Sequence, residues 1–98
     1  MAVTSILDMR FKSDAIDEVP AILRGILEET RAFDGCLGVT VIEDKDDPTH
    51  LIAVEQWESL DKDAVYRQWR AGDGAATDLP GLLAGAPSLS ICENRSDI

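Results

Sequence analysis

The chain is poor in positive charge, sulfur, histidine and asparagine. Nine lysines and arginines face nineteen aspartates and glutamates, for a formal charge of -10. A phosphate-binding surface needs clustered basic residues, and these nine are scattered. This argues against nucleic acid as a partner, and the acidic excess reads as solubilising surface charge. No apolar run reaches the ~18 residues of a membrane span, so no membrane association is expected. The first residues lack a basic stretch followed by an apolar core, so no signal peptide is read and the expected location is the cytoplasm. Cys36 and Cys92 are the only cysteines. Without paired spacing they make no zinc site, and both read as free thiols. His50 is the only histidine and Asn94 the only asparagine.

What remains is an ordinary globular composition, with 45% hydrophobic residues in 98. That length predicts one domain, residues 1–98. A domain so small is marginal alone, and dimerisation is a common remedy. Alternation over residues 3–11 predicts a strand, with Val3, Ser5, Leu7, Met9 and Phe11 on one face and Thr4, Ile6, Asp8 and Arg10 on the other. A helix is expected to about residue 31 or 32, with Asp17 as N-cap so that Pro20 falls in the first turn. Residues 36–43 and 50–58 read as two strands joined by a turn at 44–49. A calcium loop starting at Asp44 fails, because its sixth position holds Thr49 rather than glycine. In the later strand Leu51, Ala53, Glu55 and Trp57 share one face, and Ile52, Val54 and Gln56 the other.

Ser59 is expected to cap a second helix with Leu60, Ala64, Val65 and Trp69 on one side. Gly72 and Gly74 interrupt it, either as hinges of a lid or as a plain loop. A weaker helical stretch is read over 75–84, and a last strand over 87–93. The order β-α-β-β-α-(α)-β predicts an α+β domain: a ferredoxin-like split βαβ antiparallel sheet with helices on one face. The opposite face carries apolar residues and implies a partner, most simply a second copy in a homodimer.

Three segments carry a family resemblance. Asp34-Gly35-Cys36-Leu37-Gly38, Glu43-Asp44-Lys45-Asp46-Asp47-Pro48 and Val54-Glu55-Gln56-Trp57-Glu58-Ser59 resemble the hairpin and strand-end motifs of antibiotic biosynthesis monooxygenase domains. The likeness spans residues 3–93. It implies a dimeric α+β barrel with the strand order fourth, first, third, second, and a pocket between sheet and helices in each subunit. It also implies a cofactor-independent monooxygenase of a small aromatic, polyketide or quinol-like molecule. Such an enzyme takes a proton from a buried acidic substrate, which then passes an electron to dioxygen. No cofactor and no metal are expected. A haem-degrading member would place a histidine within residues 60–84, and several active members carry an asparagine on the first strand. This chain has neither. A non-catalytic small-ligand-binding or accessory dimer is the alternative, with haem degradation or isomerisation behind it.

Candidate residues follow, each with two readings. Trp57 matches the family tryptophan; its indole N–H either donates to a substrate oxygen or completes a core. Asp8 and His50 are the candidate proton acceptors, or else a sheet-margin carboxylate and a solvated histidine. Arg10 and Glu55 are candidate substrate contacts, or members of ion pairs. Tyr66 and Trp69 either wall the pocket or pack on the sheet. A cavity of roughly 300 Å³ or more between sheet and helices would favour an enzyme or a ligand-binding dimer over a purely structural dimer.

Overall fold

Alternating burial sets the first element. Val3, Ser5 and Met9 are buried, whereas Thr4, Ile6 and Arg10 are partly or fully open, the period of a strand with one covered face. In the computed structural model, which describes residues 1–98, this is β1 (Val3–Arg10). A 3-10 turn at Ser13–Ala15 follows, then α1 (Val19–Ala32). The chain enters α1 already helical at Glu18, and no side chain caps it. The expected Asp17 cap is therefore not used, because the preceding turn supplies the entry. Pro20 does sit in the first turn, where its missing N–H costs nothing. Val19, Leu23, Leu27 and Thr30 form the buried stripe.

Gly35, at φ 91°, turns the chain from α1 into the sheet; only glycine adopts that region freely. Its carbonyl accepts from the Glu58 N–H at 2.9 Å. The hairpin of β2 (Cys36–Asp44) and β3 (Asp47–Trp57) is tighter than the expected six-residue connection, since only Lys45 and Asp46 lie between the strands. Ser59 caps α2 (Leu60–Arg70) as expected, its hydroxyl accepting from the Lys62 N–H at 3.2 Å. The expected helix over 75–84 is absent. Gly74, Pro80 and Gly81 break it, leaving one 3-10 turn at Pro80–Leu82 before β4 (Ser88–Glu93).

The strands pair antiparallel in the order β2-β3-β1-β4, the order implied by the family resemblance. Both helices cover one face, giving the α+β ferredoxin-like class. Cys36 opens β2 and Cys92 lies in β4, at opposite edges, and both are free thiols. The main core joins Met9, Phe11, Val19, Leu23 and Ala53; a second cluster joins Val3, Trp57 and Tyr66.

The inward face of α2 is not the one expected. Leu60 and Val65 point outward, 46% and 55% exposed, while Asp63 and Tyr66 are buried and Arg67 and Arg70 are partly buried. A helix with a polar buried stripe must find partners for that stripe inside the protein.

No helix of the chain is long and apolar enough to cross a membrane.

Candidate functional site

The partners of that stripe come from the covered face of the sheet. Ser5 donates its hydroxyl to Asp63. Asp63 receives the Arg67 guanidinium, with Nη2 at 3.1 Å from Oδ2. The same Nη2 lies 2.6 Å from Glu55 Oε1, which also accepts from Trp57 Nε1 at 3.1 Å. The side chains of Glu55 and Asp63 are each 2% exposed. Burial opposes the Arg67 charge, but the two carboxylates outweigh it, and its pKa is raised further above the ordinary arginine value. One strand pair and one helix thus build a largely buried cluster from Ser5, Glu55, Trp57, Asp63 and Arg67.

The cluster has two unused polar groups. Glu55 Oε2 has no partner within the protein, and neither does Arg67 Nη1. No fully buried side-chain polar atom is left unpaired, so neither of these atoms is completely sealed. Each residue lines a cavity of about 180 Å³ between the sheet, α1, α2 and the segment after α2. Nine of its twelve lining residues are hydrophobic, among them Leu7, Met9, Leu23, Ala53 and Leu79. A carboxylate acceptor and a guanidinium donor among mainly apolar lining residues are chemically suited to a ligand hydroxyl, which can donate to the one and accept from the other.

Arg70 closes a further part of this wall. Its Nε donates to the Tyr66 hydroxyl at 2.8 Å, and Nη2 to the Ile26 carbonyl at 2.8 Å and Thr30 Oγ1 at 3.0 Å. Nη1 reaches the Gly74 carbonyl at 3.1 Å and Glu29 at 3.3 Å. All of its nitrogens are occupied, so Arg70 ties α1, α2 and the following segment together.

The candidate residues divide between two faces. Glu55 and Tyr66 line the cavity. Trp57 is fully buried beside it and its N–H donates to Glu55, the arrangement of the core reading rather than of a donor free for substrate. Trp69 lies behind Tyr66, its ring 6.1 Å away. It packs so closely on Gly74 that a Cβ there would run into the indole. Asp8, Arg10 and His50 lie on the open face of the sheet. Strand alternation sends them opposite to Leu7, Met9 and Leu51, so Asp8 and His50 do not reach the Glu55 cavity. His50 is held instead between Asp44, 3.0 Å from Nδ1, and Asp8, 2.9 Å from Nε2. These hydrogen bonds raise the His50 pKa above its usual value, and the His50 contact lowers that of Asp44. Arg10, 60% exposed, pairs with Asp47 at 3.3 Å, the sheet-margin reading.

Sequence reasoning missed Ser5, Asp63, Arg67 and Arg70. Positions 63, 66, 67 and 70 fall at helical 3-4 spacing, but that signal marks a solvated face unless the apolar side is known to point outward. At about 180 Å³ the interior cavity falls below the roughly 300 Å³ that would by itself favour a ligand site. A hollow of about 370 Å³ on the other side of α1, by Pro20, Leu27, Val41 and Leu51, clears that size. Its charged groups, Arg24, Arg31 and Glu43, are all exposed.

The fold is an α+β domain with a cavity under its helices. The model of the antibiotic biosynthesis monooxygenase family matches residues 2–77, and the chain belongs to that family. Solved structures carry the same fold. An antibiotic biosynthesis monooxygenase superposes with a TM-score of 0.80 at 21% identity, over 95% of this chain and 98% of that one. A conserved protein of Methanosarcina mazei Go1 does so at 0.82 and 18%, over 97% and 94%. A variant of SnoaB, a cofactor-independent oxygenase of Streptomyces nogalater, reaches 0.82 at 16%, over 96% and 93%. No curated protein matches the sequence.

Proposed function

We propose that this chain is a cofactor-independent monooxygenase of a small hydroxyaromatic molecule, with its chemistry in the Glu55–Arg67 cavity. The observation that carries the reading is the ion-paired Glu55 and Arg67 side chains, each with one polar atom unbonded within the protein, lining a mainly apolar hollow. Family membership and the likeness to a cofactor-independent oxygenase support the same class.

In this reading the substrate hydroxyl donates to Glu55 and passes its proton there. Arg67 Nη1 holds the resulting oxyanion, where a preformed donor in a dry site is worth most. The electron-rich ring gives one electron to dioxygen. The two radicals combine at the ring carbon para to the oxygen, and the peroxide anion takes back the proton held by Glu55, forming a hydroperoxide and restoring the carboxylate. Loss of water, taking the hydrogen from that carbon, leaves a second carbonyl. The overall change is phenol and dioxygen to quinone and water. Glu55 replaces Asp8 and His50 as proton acceptor. Tyr66 is a wall of the site, Trp57 a support for Glu55 and Trp69 a support for the wall.

The working unit in this reading is a homodimer closed through the open sheet face, where Ile6, Ile42, Ile52 and Val54 form a patch across three strands. The two free thiols suit the reducing cytoplasm.

Oxygen consumption with a panel of single-ring phenols and hydroquinones tests the reading. Glu55→Gln is expected to lower the rate by about a hundredfold or more, with folding retained. Full activity in Glu55→Gln overturns the assignment. Phenol binding without oxygen consumption, in a dimer of intact fold, would make the chain a binding module.

A further inference from the structure

We infer that residues 75–80 form a strap that sets the size of ligand the cavity accepts, admitting single-ring phenols and excluding fused-ring ones. The inference rests on the Glu55–Arg67 reading of the cavity and adds its selectivity.

The strap crosses the cavity between two anchored ends. At one end the Gly74 N–H donates to the Trp69 carbonyl at 2.8 Å, and the Gly74 carbonyl accepts from Arg70. At the other, the Gly81 and Leu82 carbonyls accept from the Lys12 side chain and N–H at 3.0 and 2.9 Å, and the Ala84 N–H donates to Arg10 at 2.8 Å. Between these ends the backbone bonds only to its own neighbours, as in Thr77 to Ala75 and Leu79 to Ala76. The middle of the strap is therefore held by side-chain packing alone, which places it at the low-stability end of the fold.

Two strap residues reach the cavity. Ala76 lines it and also lines both hollows outside the strap, of about 440 and 430 Å³; Leu79 lines the cavity and the second of these. These side chains are the partition between the small interior space and the larger outer ones. An apolar cavity of about 150 Å³ takes up benzene. The 180 Å³ here suits one ring with a hydroxyl on the Glu55–Arg67 pair. A second fused ring would occupy the place of Leu79.

Calorimetric titration of the wild type, Leu79→Ala and Ala76→Leu with phenol and with 1-naphthol tests this. The wild type should bind phenol at least about tenfold more tightly than 1-naphthol, the scale on which a pocket discriminates by size. Leu79→Ala should reverse that order. Ala76→Leu should lose both ligands while its melting temperature stays within a few degrees of wild type; if it misfolds, Ala76→Val is expected to weaken phenol alone. Equal binding of both ligands by the wild type, or an order unchanged in Leu79→Ala, overturns the strap's role and leaves the cavity reading standing, provided that Glu55→Gln weakens phenol. No binding of either ligand to wild type and Leu79→Ala overturns both.

Discussion

The two faces of the sheet use charge in opposite ways. On the covered face one partly buried guanidinium satisfies two carboxylates that are each 2% exposed. On the open face a histidine is bracketed by two carboxylates that are 35% and 39% exposed. The strands and their alternation are shared; only the helices differ. Desolvation makes the first cluster costly to disturb and leaves the second cheap, because exposed pairs are screened and contribute little. The covered face is therefore where a fixed site can be built, and the open face is where the surface can meet a partner.

The largest effect should come from breaking the covered cluster. Arg67→Met strands two buried carboxylates and is expected to cost roughly 3 kcal/mol in urea unfolding, since orphaning a buried charge is far worse than losing a pair. A loss below about 1 kcal/mol would erase the contrast between the faces. Next is the open face. Ile52→Glu should leave monomer stability near wild type but weaken self-association by about a hundredfold, equivalent to about 3 kcal/mol. Equilibrium sedimentation reads this, and an unchanged dimer would remove the open face as the interface. Trp57→Phe follows, at about 2 kcal/mol of stability for a lost hydrogen bond to a charged group. Ligand affinity should stay near wild type, because the indole N–H serves Glu55 and not the ligand. Affinity falling while stability holds would restore the donor role.

The smallest effect is His50→Gln. The folded-state pKa of His50 is raised, so its contribution to stability is full below the unfolded value of about 6.5 and fades as pH rises through the folded value. That of Asp44 is lowered, so its contribution is present above about 4 and fades in acid. Wild type and His50→Gln should thus differ most between about pH 4 and 6.5 and converge in alkali. A difference that grows above pH 8 would contradict the bracketed arrangement.

Local pattern made much of the fold legible. Strand alternation identified all four strands, and Ser59 marked the start of α2. The paired faces of Ser5 with Met9 and of Glu55 with Trp57 were correctly grouped. The leucine spacing over 75–84 suggests a helix, but Gly74, Pro80 and Gly81 limit that segment to one 3-10 turn. The site was less legible. Asp8 and His50 drew attention as titratable groups, yet periodicity does not say which strand face the helices cover. The α2 stripe was hidden for a related reason: Asp63 and Arg67 look solvated until Glu55 and Ser5 are brought to them by a sheet that pairs residues far apart in sequence.

That long-range assembly has a kinetic consequence. Ser5 and Asp63 are 58 positions apart, and Glu55 meets Arg67 across the strand–helix junction. A partly folded chain with β1 undocked would leave Asp63 facing an unfilled gap. One with α2 undocked would bury Glu55 without its cation, a state several kcal/mol uphill. Such half-built species are disfavoured as resting points, and the cluster couples the first strand to the second helix. The charge pair proposed to meet a ligand would also make the folding of the chain more nearly all-or-none.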